Sequence, residues 1–143
     1  MRKRTQSREC ALKILYQADI TRRSIDDAAK NYWIDAPSED KIIQEFTTRL
    51  TVGIGSKLKE IDEKISLYAA NWQIKRMAVI DRNVLRLGVF ELLFAPDIPP
   101  KVTINEAVEL AKKYGDLESS KFVNGILDKI HKTEVVPQNL KSA

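Results

Sequence analysis

The residues that could support catalysis are few and far apart in the sequence. The single histidine, His131, ends a predicted helix, where a cation is favoured on structural grounds alone. The single cysteine, Cys10, lies beside core positions, and no His/Cys set has the spacing of a metal site. Gly53 and Gly55 lack the further Gly and Lys of a phosphate-binding loop. We therefore predict no catalytic residue, no metal and no cofactor.

Positive charge at the start of the chain suggests a different chemistry. Arg2, Lys3 and Arg4, here called the basic arm, are followed one helical turn later by Arg8. The net charge of the chain is +4, which suits a nucleic-acid partner without requiring one. The alternative is a basic terminus that only keeps the protein soluble.

Two aromatic residues near the other end of the chain could bind unpaired bases. Tyr114 ends one predicted helix, and Phe122 lies off the apolar stripe of the next, with Lys121 and Asn124 beside it. Rings flanked by amide and ammonium groups form platforms for single-stranded nucleic acid. The alternative is packing at the edge of the core, which the pattern alone favours.

The first predicted helix, residues 5–21, carries two apolar lines. Leu12, Tyr16 and Ile20 make up the second line, which points largely away from the core stripe. Such a helix either lies inside a bundle or offers one line to a partner.

Helices position all of these residues in the predicted fold. The central one spans residues 78–94 and is apolar nearly all round, so other helices should surround it. Within it, Gly88 should allow a neighbouring helix to approach closely. Further helices are predicted at residues 5–21, 25–34, 39–52, 58–68, 103–114 and 117–131, with a break at residues 53–55. No strand pattern of useful length occurs, so the fold class is all-α.

Local signals mark where these helices begin and end. Ser24 and Ser38 are predicted N-caps. Thr103 and Glu106 have the spacing of a capping box. Gly115 occupies the position at which a left-handed residue commonly ends a helix.

The composition fits a globular protein, with 43% hydrophobic and 31% charged residues among 143. We predict a single domain over residues 1–132 and a flexible tail over residues 133–143. A single cysteine excludes an internal disulfide. Neither a secretory signal nor a membrane span is recognisable, so we expect a cytoplasmic protein.

Four parts of the sequence resemble the NusB family of transcription antitermination factors, in addition to the basic start. They are residues 8–16 (RECALKILY), residues 81–87 (DRNVLRL) with 90–92 (FEL), residues 100–115 (PKVTINEAVELAKKYG) and residues 121–128 (KFVNGILD). The last two stretches are long and specific, and the resemblance covers nearly the whole chain.

The resemblance implies an all-α fold of about seven helices in two small packed bundles. It also implies a protein that is not an enzyme. Family members bind the boxA element of nascent RNA as a heterodimer with the small-subunit ribosomal protein NusE. The complex joins the RNA polymerase elongation complex and suppresses premature termination, notably in ribosomal RNA operons.

Carried over by position, the resemblance assigns roles to the residues singled out above. RNA would be bound by Arg2, Lys3, Arg4, Arg8, Tyr114, Lys121, Phe122 and Asn124. The ribosomal protein would be bound by Leu12, Tyr16, Ile20, Asp81 and Arg82. Three alternatives stay open: a purely protein-binding helical module, an accessory domain for RNA modification, and a homodimer formed through the surface around Tyr16.

Overall fold

The computed structural model describes residues 2–69 and 72–136, and within them every regular element is helical. The prediction of an all-α fold is therefore confirmed. The α-helices are α1 (Lys3–Thr21), α2 (Ile25–Asp35), α3 (Lys41–Tyr68), α4 (Val79–Phe94), α5 (Pro100–Tyr114) and α6 (Leu117–Ile130). The chain divides into two compact units, unit 1 (Met1–Leu58) and unit 2 (Lys59–Ala143). Whether residues 1–132 fold as one domain stays a prediction.

Helix α3 is continuous, whereas the sequence predicted a break at Gly53 and Gly55. It runs for 28 residues, and the boundary between the two units falls within it. Ile54, between the two glycines, is fully buried. Burying such apolar side chains along the helix outweighs the cost of about 1 kcal/mol for each helical glycine.

The starts of α2 and α3 are set by short side chains. The Asp27 amide donates to Ser24 Oγ at 3.1 Å, so the predicted cap of α2 is confirmed. For α3 the predicted cap, Ser38, is wrong. The Ile43 amide donates instead to Asp40 Oδ1 at 3.2 Å, because a carboxylate two residues nearer the helix offers a charged acceptor.

Helix α4 lies at the centre of unit 2, in contact with both α5 and α6. It begins at Val79, one residue after the predicted start. A Cβ added at Gly88 would lie 2.6 Å from Leu127 Cδ1 on α6. The predicted close approach at Gly88 is therefore confirmed.

Two predicted signals around α5 are wrong. The helix begins at Pro100, which suits a first helical position, so Thr103 lies inside the helix and cannot form a capping box. Its hydroxyl donates to Glu91 Oε1 at 2.8 Å in the buried interior. Gly115 has a φ of −112° and is not left-handed. It is glycine for lack of space, because a Cβ there would lie 2.7 Å from Ser119 Oγ.

A π-helical turn, His131–Val135, continues from α6. Lys64 Nζ forms an ion pair with Glu134 Oε1 at 2.7 Å, and Val135 is buried. The first residues of the predicted flexible tail are therefore helical and held in place, because Glu134 and Val135 have partners on unit 2. Residues 137–143 lie outside the described part of the chain. Among the described residues, no helix is long and apolar enough to cross a membrane.

Candidate nucleic-acid interface

The basic arm occupies the start of α1. Arg2 is the N-cap residue, Lys3 and Arg4 begin the first turn, and that turn contains no acidic side chain. A helix N-terminus already carries partial positive charge, which normally favours acidic residues there. Adding cations makes this end of α1 strongly electropositive, and such an end attracts phosphate.

Hydroxyl groups hold the start of α1 against the first part of α3. Ser7 Oγ lies 3.0 Å from the Lys3 carbonyl oxygen and 3.1 Å from the Ile43 carbonyl oxygen. Thr47 Oγ1 donates to the Ile43 carbonyl at 2.7 Å and lies 3.3 Å from the Ser7 carbonyl. Because Ser7 and Thr47 are buried, these contacts fix the position from which the basic arm extends.

Three guanidinium groups surround the buried ring of Phe46. The Cζ atoms of Arg4, Arg8 and Arg49 lie 4.4, 5.3 and 6.0 Å from its centroid. Arg4 is exposed, but only 3% of Arg8 is exposed. Arg8 thus packs inside unit 1 beside Phe46, and its assignment as a phosphate contact stays a prediction. Sequence spacing placed it near the arm but could not show which way the helix faces.

Lys3 has an acidic partner within unit 1. Its Nζ lies 3.1 Å from Asp40 Oδ2. The hydrogen bond from Lys3, together with that from the Ile43 amide, holds the pKa of Asp40 below its ordinary value. An exposed pair of this kind contributes little to stability. A phosphate group approaching Lys3 would compete with Asp40 for the same ammonium.

An aromatic pair lies on the surface of unit 2. Phe122, near the start of α6, is half-buried, and its ring centroid lies 6.1 Å from that of Trp72, with the ring planes at 73°. Trp72 is 57% exposed. Lys121 and Asn124 on α6 are exposed as well. We call Trp72, Lys121, Phe122 and Asn124 the ring patch.

The other predicted ring, Tyr114, ends α5 and is half-buried. Lys113 Nζ lies 5.5 Å from its centroid. In the ring patch, Lys121 has a loose contact with Glu118, at 3.7 Å between charged atoms. Tyr114, Lys121, Phe122 and Asn124 are thus all accessible at least in part, and their assignment to RNA stays a prediction.

Trp72 is a candidate site residue that the sequence pattern did not indicate. It stands between α3 and α4, where no helical period signals its exposure, and the pattern marks it only as the start of a turn. Large aromatic side chains are seldom left more than half exposed without a reason. Its contact with Phe122 spans 50 positions of the chain, so only the folded structure reveals it.

The line Leu12, Tyr16 and Ile20 on α1 is only partly available to a partner. Tyr16 is 37% exposed and Ile20 is 53% exposed, but Leu12 is 1% exposed. The side chain of Leu12 belongs to the core of unit 1, and its assignment to a partner surface stays a prediction. The partner-binding roles of Tyr16 and Ile20 stay predictions.

Asp81 and Arg82, the other predicted partner residues, are half-buried in the first turn of α4. Arg82 Nη1 lies 3.4 Å from the Lys75 and Met77 carbonyl oxygens, so it ties down the 3₁₀ turn (Ile74–Arg76). Asp81 Oδ1 is shielded from solvent and has no hydrogen-bond partner among the described residues. Arg82 therefore takes part in the local structure, and the assignment of both residues to a partner stays a prediction.

Comparison with known proteins identifies the family. The model of the NusB family matches residues 5–132. The transcription antitermination protein NusB of Anaeromyxobacter dehalogenans strain 2CP-1 is 46% identical over 128 residues, covering 90% of this chain and 89% of that protein. The protein of the same name from Myxococcus xanthus is 46% identical over 130 residues, covering 89% of this chain and 93% of that one.

Solved structures agree with these sequence matches. Thermotoga maritima NusB superposes with a TM-score of 0.84 at 39% identity, covering 96% of each chain. A chain from a crystal structure of antitermination factors NusB and NusE in complex with double-stranded RNA gives a TM-score of 0.85 at 32% identity. That match covers 92% of this chain and 98% of the other. A family match over residues 5–132 and close relatives of nearly the same length lead to one conclusion: this chain belongs to the NusB family.

Proposed function

We propose that this protein is a transcription antitermination factor. It binds boxA-type single-stranded RNA together with the ribosomal protein NusE and supports transcription of ribosomal RNA. Its relatives carry the name transcription antitermination protein, and a similar chain was crystallised with NusE and double-stranded RNA. In this proposal the protein acts in the cytoplasm as a binding adaptor, not as an enzyme.

The observation that carries the proposal is the ring patch of unit 2. Phe122 and Trp72 are accessible and nearly perpendicular, and Lys121 and Asn124 are exposed on the same helix as Phe122. Bases that are unpaired can stack on such rings, and each stacked base contributes about 1–3 kcal/mol. The Asn124 amide can read base edges, and the Lys121 ammonium can neutralise a phosphate.

The basic arm supplies the sequence-independent part of binding. Arg2, Lys3 and Arg4 lie at the electropositive start of α1, so a phosphate there would meet both side-chain and helix-end charge. Binding of this kind weakens as salt rises, with a log–log slope of about −0.7 per phosphate neutralised on a single strand.

The exposed residues of α1 supply a surface for the protein partner. Tyr16 and Ile20 present a ring and an aliphatic side chain four residues apart, which lie on one side of a helix. NusE docked there would join this chain to the RNA polymerase elongation complex. A second copy of the chain could occupy the same residues when NusE is scarce, which would give a homodimer.

A binding titration tests the proposal. A short boxA-type single-stranded RNA is titrated with the full chain, with and without NusE, at low and high salt. We expect tighter binding with NusE and weaker binding at high salt. Absence of RNA binding with and without NusE at low salt would contradict the proposal and favour a purely protein-binding module. Sedimentation at several protein concentrations shows whether a homodimer forms and whether NusE dissociates it.

A further inference from the structure

Gly125 is an exposed glycine inside α6, and the fold itself gives no steric reason for it. A Cβ at Gly88 or Gly115 would come within 3 Å of another atom, so both positions need glycine. A Cβ at Gly125 would meet nothing within 4 Å. Alanine would stabilise a helix better than glycine at such a position. Among the described residues nothing accounts for the bare backbone, whereas a ligand that approaches it closely would.

The position of Gly125 on α6 places it next to the ring patch. It follows Phe122 by three residues and Lys121 by four, so all three share one side of the helix. Helical side chains lean toward the N-terminus and cover the turn before their own Cα. A side chain at position 125 would therefore cover the surface beside Lys121 and Phe122. Glycine leaves that surface open.

Trp72 borders the open surface beside Phe122. Its ring stands at 73° to Phe122, with 6.1 Å between centroids, so the two rings make a corner. More than half of Trp72 remains accessible. A flat group that stacks on one ring of such a corner meets the edge of the other. An unpaired nucleobase has this shape, and its sugar and phosphate would extend past the ring.

We propose that Trp72 and Gly125 complete a binding notch for one unpaired nucleotide around Phe122. The base stacks on one ring of the Trp72–Phe122 corner and meets the edge of the other. The sugar–phosphate lies against the bare α6 backbone at Gly125, within reach of Lys121. The exposed cation and amide favour RNA over an apolar protein segment as the occupant. This inference rests on the proposed RNA-binding function, adds a direct contact at Gly125, and places Trp72 and Phe122 around the same nucleotide.

The first test compares two glycine substitutions. Gly125→Ala and Gly125→Leu should raise or preserve the melting temperature, because a Cβ there has free space. They should weaken binding of the boxA-type RNA, and Leu should weaken it more than Ala. The matched control is Gly55→Ala, another exposed helical glycine, where a Cβ would meet only the Ile25 side chain, at ordinary contact distances of 3.9 and 4.0 Å. The control should leave RNA affinity unchanged.

The second test addresses Trp72. Trp72→Leu removes the ring but keeps an apolar side chain, and we expect a loss of about 5-fold or more in RNA affinity. Trp72→Phe should restore much of it. Since the chain has two tryptophans, Trp33→Phe leaves Trp72 as the single tryptophan, which can be excited selectively. Its emission should change when RNA binds, and much less when the stacked nucleotide is replaced by an abasic one.

The outcomes separate this inference from the proposed function. If Phe122→Ala weakens RNA binding but the Trp72 and Gly125 variants do not, the notch is wrong and RNA binding stands. If the wild type binds no RNA, the proposed function fails and the notch fails with it. If the Gly125 variants weaken binding of NusE and leave RNA affinity intact, the occupant is protein and the inference is overturned.

Discussion

The arginines around Phe46 in unit 1 and the ring patch of unit 2 both combine cations with aromatic rings, but the exposure of the rings differs. In unit 1 the ring of Phe46 is buried, and Arg8 is buried beside it. In unit 2 the rings of Trp72 and Phe122 remain accessible, and Lys121 is exposed. A cation over a buried ring stabilises the fold, whereas an accessible ring beside an exposed cation is available to a ligand.

The largest expected effect comes from removing the central ring of the ring patch. Phe122→Ala should weaken binding of the boxA-type RNA by about 5- to 150-fold, equivalent to about 1–3 kcal/mol per stacked base. The salt dependence should stay the same because no charge is lost. Fluorescence anisotropy at several salt concentrations measures both quantities. An unchanged RNA affinity would show that the accessible rings of unit 2 bind no base, which would contradict the contrast with the buried ring of unit 1.

Arg8→Ala tests whether the buried cation of unit 1 is structural. We expect the free energy of unfolding to fall by about 1–3 kcal/mol, because the change removes a buried side chain that packs against Phe46. Chemical denaturation measures this loss. The salt slope of RNA binding should not change. A smaller slope with unchanged stability would show that Arg8 meets phosphate after all.

Arg4→Ala is the matched variant at an exposed position of the same cluster. Its guanidinium lies 4.4 Å from the Phe46 centroid, so a stability loss of about 0.5–1 kcal/mol is expected. The log–log salt slope of RNA binding should become shallower by about 0.7 if Arg4 neutralises one phosphate. A shallower salt slope in Arg4→Ala and a larger loss of stability in Arg8→Ala would best support the distinction between an exposed, RNA-binding cation and a buried, structural one. Equal slopes in the wild type and Arg4→Ala would contradict it.

The smallest effect concerns Asp40 and acid. Its pKa is lower in the folded protein, chiefly because of the hydrogen bond from Lys3. The stabilisation from this pair is therefore fully present above about pH 4, the ordinary range for Asp, and is lost as pH falls through the lower folded pKa. Lys3→Ala should raise the pKa of Asp40, which NMR titration of its carboxyl carbon would follow.

RNA binding should raise the same pKa if phosphate takes Lys3 away from Asp40. A titration of the complex that matches the free protein would show that Lys3 keeps its partner. In that case Arg2 and Arg4 carry the phosphate contacts of the basic arm.

The sequence predicted best those features that depend on a few neighbouring residues. The cap at Ser24 and the extent of α4 follow from local side-chain chemistry and periodicity. The close approach at Gly88 was predictable because a glycine inside a strongly apolar helix is typical of tight packing between helices. These predictions needed no knowledge of which helix packs where.

Sequence-based prediction was least reliable where a side chain had two plausible partners or where the buried face of a helix was ambiguous. Thr103 fits a capping box, but Pro100 starts the helix earlier and Glu91 becomes the hydroxyl's partner. The sequence pattern also left open which faces of α1 are buried, and packing within unit 1 buries both Leu12 and Arg8, whose binding roles stay predictions. Trp72 meets Phe122 only after the chain folds, so no spacing rule could have joined them.

The π-helical turn after α6 has a practical consequence for any shortened version of this protein. Lys64 and Tyr68 both contact the carboxylate of Glu134. The hydrogen bond between Tyr68 and Glu134 raises the pKa of the Tyr68 hydroxyl. Cutting the chain at residue 132, where the sequence places the end of the domain, would discard this carboxylate together with the buried side chain of Val135. Trimmed versions prepared for crystallisation or spectroscopy should therefore retain residue 136, or unit 2 will melt earlier than in the intact protein.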